Sequence, residues 1–353
     1  MRKKLIFLTC LLMIIVIFVV KKNIIKSSAD NIRYEVFNLD LNYKKVNSPA
    51  LRDNELYFST NSKNSGFLNE IVKMDVNTKK ARTIYKSNFN ESAIEGIEVN
   101  KDWLVWVDSN TGGHMWNIMS MNMETGKIQK VFEANSYKKQ LPYLYDHYIV
   151  WVHMDINKEG FIRILDLNTN TYRDIEGLNN VDAYNTSLYM EDNKIIWSDL
   201  TDGKPYYKAY DISREVLEVY PAEFLYPSYA KYNNNKIFSI NFNDLNEWED
   251  QSFGYYDINK NKYEEFDPTI GTINRYSLKE DKLAFLDKKA NVSLYSIKKN
   301  KKLIFKEKYN ENKKIPKDIS FDYKGNLIVQ YSPLNKEEES YKNMLSIYYL
   351  KYK

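Results

Sequence analysis

The chain has 353 residues, and its 15% aromatic content, led by 30 tyrosines, points to strands, because pleated surfaces favour aromatic and β-branched side chains. The formal charge is +4, but six basic residues lie in the first 29 positions, which hold no acid; +4 less those six leaves −2 on the body. A near-neutral body excludes the basic face that nucleic-acid binding needs, and the single cysteine, Cys10, excludes an internal disulfide.

The first predicted element is "MRKKLIFLTCLLMIIVIFVVKK", a basic start followed by an uncharged, mostly apolar run from Leu5 to Val20 and then two lysines. As a helix this run covers roughly 24 Å, and flanking lysines can snorkel to span a hydrocarbon core of about 30 Å. Residues 1–30 are therefore expected to form an uncleaved signal-anchor, a single transmembrane helix with the C-terminal body outside the cytoplasm. Cleavage near Ser27-Ser28-Ala29 and lipidation at Cys10 stand as alternatives.

Next comes "IRYEVFNL", residues 32–39, a strand with no partner nearby in sequence. After it the chain repeats itself. An aromatic-rich strand recurs as "LYFST" (56–60), "LVWVD" (104–108), "IVWVH" (149–153), "IIWSD" (195–199), "IFSIN" (237–241), "LAFLD" (283–287) and "LIVQY" (327–331). The strand that follows each of these ends at Asp75, Asn122, Asp166, Asp211, Asp257, Ser296 and Tyr349, positions spaced 39 to 53 residues apart. A period near 46 with several strands per unit is the mark of β-propeller blades.

The expected fold is all-β: a seven-bladed β-propeller of four-stranded antiparallel blades over residues 31–353, with six blades as the alternative. The last unit ends after its third strand, so strand 32–39 is expected to pair with the last blade and close the ring. Units such as "KIIWSDLTDGKPYYKAYDIS", Lys194 to Ser213, resemble the TolB-type and related bacterial β-propeller repeats, and the similarity covers residues 32–353. That resemblance implies a fold and an envelope setting, and the fold hosts many functions.

The end of each aromatic strand carries Thr60, Asp108, His153, Asp199, Asn241, Asp287 or Tyr331, a polar ring expected near the loop face. These groups serve either as ligand contacts or as caps of the turns that follow them. Two loops stand out from the repeat: "SNTGGHMWN" with His114 and Trp116, and "NDLNEWEDQ" with Trp248 among four acids. Aromatic rings in polar loops are candidate recognition anchors, or fold back over their own blades. The candidate ligand-binding residues are thus Trp116, Trp248, His114, Asp108, His153, Asp199 and Asp287, with no catalytic or metal-binding residue and no cofactor. Hydrolase, zinc-peptidase and phosphate-loop motifs are absent from the sequence. The function expected is a non-catalytic binding or scaffolding module for an envelope protein, peptide or glycan, held to the membrane by its N-terminal helix. A carbohydrate-active lyase or hydrolase using loop-face carboxylates is the alternative.

Overall fold

The computed structural model describes residues 33–351 apart from 63–64, 136–138, 155–159, 179–186, 248, 267–271, 300, 304–313 and 334–342. The expected signal-anchor, residues 1–30, and Trp248 lie outside the described residues. Seven four-stranded sheets follow one another, each antiparallel, as blades of a propeller. Blade 1 is built from Val46–Arg52, Glu55–Thr60, Glu70–Asp75 and Ala81–Lys86, in order from the inner strand to the outer. The other inner strands are Ser92–Val99, Tyr143–Tyr145, Tyr189–Glu191, Tyr226–Asn233, Ile273–Lys279 and Lys314–Phe321.

Blade 7 completes itself with the start of the chain. Its strands are Lys314–Phe321, Leu327–Pro333, Asn343–Lys351 and, outermost, Arg33–Leu41, in which Val36 pairs with Tyr348 and Leu39 with Leu345. Leu39 and Leu41 then pack with Val46, Leu56 and Phe58 of blade 1. Closing the circle in this way removes the open sheet edges that a linear array would present.

The repeat is visible in sequence because its two anchors do local work. In blades 1 to 5 the acid or amide ending the third strand caps the turn to the outer strand: Asp75 accepts from Thr78 N–H at 2.6 Å, Asn122 from Thr125 N–H at 2.9 Å and Asp257 from Asn259 N–H at 3.0 Å. Four residues past each of these anchors the backbone turns left-handed, at Lys79, Gly126, Asn170, Glu215 and Asn261. The aromatic residue of the second strand fills the seam between blades, and Phe58, Trp106, Trp151, Trp197 and Phe285 are all essentially buried. Such rings carry a large apolar area into a seam that only sheet faces border.

Candidate functional site: a charged layer in the central channel

The residues singled out on the loop face are taken up by the fold. Asp108 is 1% exposed and accepts hydrogen bonds at 2.6 Å from the Tyr85 and Ser87 hydroxyls of blade 1, so it staples two blades. Burial pushes its carboxyl up, and the two hydroxyls oppose that shift. Asp199 is fully buried, 3.0 Å from the Lys208 ammonium and 3.0 Å from the Leu200 N–H, and Lys208 reaches on to Glu176 of blade 3. Asp287 caps its own hairpin through the Asn291 backbone and side-chain N–H groups, both at 2.8 Å.

Trp116 corrects the expectation of an exposed anchor. The second strand runs on to Asn110 and the third begins at Met115, so the loop is short and Trp116 falls at a strand position facing the blade interior. It is 1% exposed, with its ring 5.7 Å from Phe132. His153 is half-buried with its ring edge-on to Phe132 at 5.3 Å, and His114 is exposed on the hairpin held by Asn110. The loop-face set is therefore scattered into blade seams and turns. Among the described residues, no group of three His, Cys, Asp or Glu side chains could hold a metal ion.

What the fold does assemble is a layer in the central channel. In each blade one inner-strand residue pairs with the second residue of the aromatic strand: Ala50 with Tyr57, Glu98 with Val105, Tyr143 with Val150, Tyr189 with Ile196, Lys231 with Phe238, Ser277 with Ala284 and Ser320 with Ile328. All seven line one cavity of about 600 Å³, a size that suits a small ligand. The layer is lopsided. Tyr143 and Tyr189 fill one arc, with ring centroids 5.2 Å apart, while Ala50, Ser277 and Ser320 leave the other arc open. Glu98 and Lys231 stand where the two arcs meet, three blades apart.

Backbone irregularities aim these two side chains. The register slips between Glu95 and Glu98, with Gly96 at φ 59°, and between Ser228 and Lys231, with Tyr229 at φ 56°. A β-bulge of this kind re-aims the residue that follows it, and a left-handed tyrosine is a costly conformation, of order 1–3 kcal/mol. The Tyr276 hydroxyl donates to the carbonyl of Tyr229 and, at 3.0 Å, to that of Phe238, which holds the bulge in place. On blade 2 the Ser48 hydroxyl accepts from Gly96 N–H at 2.9 Å and ties that bulge to the bulge of blade 1.

Glu98 and Lys231 carry charge at a cost. One Glu98 oxygen accepts from Leu144 N–H at 2.5 Å, and no partner meets the other among the described residues. Burial pushes the Glu98 carboxyl up to about 7, against the pull of that N–H and of the Lys231 charge. Lys231 donates to the Tyr276 carbonyl at 3.0 Å and sits over the Tyr276 and Tyr189 rings at 4.7 and 5.6 Å. Burial lowers its ammonium to about 8, with Glu98 and Asp318 opposing the fall. No ion pair joins Glu98 to Lys231 among the described residues, although each carries the other's field. Blades 4 and 6 are also laced to each other: Tyr189 donates to the Leu278 carbonyl at 3.2 Å and Lys279 meets Glu191 at 3.4 Å.

Comparison with known proteins bears on the fold. The chain is a seven-bladed β-propeller. It is similar to the β-propeller domain of the Trilobed protease from Pyrococcus furiosus, at 12% identity and a TM-score of 0.60, with 86% of this chain and 96% of that one covered. It is similar also to YCF48 solved with a D1 peptide, at 7% identity and a TM-score of 0.57, covering 92% and 99% of the two chains. TolB from Acinetobacter baumannii aligns over 89% of this chain and 79% of its own, at 12% identity and a TM-score of 0.48. No protein-family model matches the sequence, and no curated protein matches it either. At these identities the likeness is one of fold.

Proposed function

We propose that the chain is a membrane-anchored, extracytoplasmic binding module whose recognition centre is the central channel. The observation that carries this reading is the charged layer: a cavity with one wall of tyrosine, one open arc, and a carboxylate and an ammonium that face it without pairing to each other. Concave pockets with a few convergent polar groups are where proteins bind small ligands and partner side chains. The N-terminal "MRKKLIFLTCLLMIIVIFVVKK" supports the anchor and the outward body. An envelope protein, peptide or glycan remains the partner class, and YCF48, of similar fold, is described with a peptide bound.

A second reading draws on the same two residues. A carboxyl near 7 and an ammonium near 8 lining one cavity are suited to general acid–base work, which keeps a carbohydrate-active enzyme in view. The loop-face carboxylates do not support it, because Asp108 and Asp199 are already committed to blade seams.

The test is capture from crosslinked envelopes with the full chain beside the Glu98→Gln/Lys231→Met double variant. The binding reading predicts an adduct with wild type that falls at least about tenfold in the variant, as the loss of charge-assisted contacts implies. Equal capture by both would remove the channel as the recognition centre, and turnover of an envelope glycan by wild type alone would favour the enzyme.

A further inference from the structure

The geometry points to a ligand that carries an ammonium at one end and a carboxylate at the other, laid along the open arc of the channel with its ammonium on Glu98 and its carboxylate on Lys231. This deepens the proposed binding role and rests on it. Two opposite charges placed in a poorly solvated cavity lower their energy most by meeting, yet here each is held back by its own fittings. Glu98 is tied to Leu144 N–H on blade 3, and Lys231 is held over two rings and against the Tyr276 carbonyl on blade 6. Glu98 and Lys231 each follow a β-bulge on their own strand, so the separation is built into the backbone.

The arc between them is the part of the layer where side chains are small. Ala50, Ser277 and Ser320 line that side of the cavity without large side chains, and Ser277 is itself occupied, accepting from Phe321 N–H at 3.2 Å. A ligand there gives each of the two poorly solvated charges a charge-assisted hydrogen bond, which is the strongest polar recognition available in such a site. A ligand with a single charged end leaves one of the two protein charges buried and unmatched. The ligand class is therefore an amino acid with separated ends or a short peptide, read at both termini.

The groups facing Glu98 are Lys231 and Tyr143, and those facing Lys231 are Glu98, Asp318, Tyr189 and Tyr276, with Arg275 drawn to Asp318 at 3.6 Å. Both ends of the ligand need charged partners. Glu98 gains its charge as pH rises through about 7, and Lys231 loses its charge as pH rises through about 8. Affinity therefore peaks between those values and falls on either side.

The test is calorimetric titration of the full chain in detergent with γ-aminobutyrate, diglycine and triglycine, each against a one-ended control: butyrate and butylamine, or the N-acetylated and amidated peptides. At least one zwitterion is expected to bind about tenfold more tightly than both of its one-ended controls. Glu98→Gln should erase the preference over the control lacking the ammonium, and Lys231→Met the preference over the control lacking the carboxylate. The pH profile is read with γ-aminobutyrate, whose own ends do not titrate between pH 7 and 8. Binding of one-ended controls as tightly as zwitterions overturns the inference, as does failure of every zwitterion to saturate a chain whose circular dichroism is native. If the panel fails while envelope capture still depends on Glu98 and Lys231, the zwitterion falls and the channel reading stands. Failure of both experiments removes the channel reading as well.

Discussion

Leu39→Asp is expected to destabilise the protein by about 3–5 kcal/mol and to drive the survivors into oligomers. Leu39 is 2% exposed, pairs with Leu345 across the closing sheet and packs beside Val46 and Leu56 of blade 1. A carboxylate at that position has no partner and cannot stay charged in the seam, so the strand detaches. Detachment bares the backbone of Asn343–Lys351 as an edge that another chain can pair with. Urea unfolding followed by circular dichroism reads the first effect, and size-exclusion chromatography reads the second. An unchanged midpoint and a monomeric profile would mean that the ring is not held shut by Arg33–Leu41.

Glu98→Gln is expected to do the opposite at pH 8, stabilising the unliganded protein by roughly 1–2 kcal/mol. The folded state raises the Glu98 carboxyl from its ordinary value of 4.5 to about 7. The sign follows from linkage: the protonated carboxyl is favoured in the fold, so its contribution is fully present below 4.5 and is lost as pH climbs through about 7. Above pH 7 the native protein therefore carries a buried charge that glutamine does not, and glutamine still offers an oxygen to Leu144 N–H. The figure is set below the full shift because Glu98 keeps part of its surface on the cavity. Thermal melts at pH 4 and pH 8 check it: the variant should melt higher than wild type at pH 8 and no higher at pH 4. A gain in stability from removing a charge is what a site held ready for a ligand gives.

The two levels of this structure were unequally legible. The fold could be read because its recurring residues act on their own neighbourhood: Asp75 and Asp257 cap turns two or three residues away, and Trp106 or Trp197 fills a seam that every blade repeats. The channel layer could not be read in the same way. Its members lie one per blade, change identity from most blades to the next, and sit beyond bulges that slip the register in blades 1, 2, 5, 6 and 7 but not in blades 3 and 4. Counting back across each inner hairpin from the aromatic strand would have found them, with Glu98 and Lys231 as the charged departures. The structural partners of the loop-face acids are not written in the repeat: Asp108 accepts from Tyr85 and Ser87 of another blade, and Asp199 from a lysine on the adjacent strand. Trp116 misled because Gly112 and Gly113 make a tight hairpin read more easily as a long loop.

The most direct measurement is site-specific photo-crosslinking in intact envelopes, with a benzophenone side chain placed at Ser320 in the open arc of the channel or at His114 on the loop face. The account predicts a discrete adduct from the Ser320 probe and none from the His114 probe. An adduct from His114 with none from Ser320 would contradict it, and would move recognition from the channel to the loops.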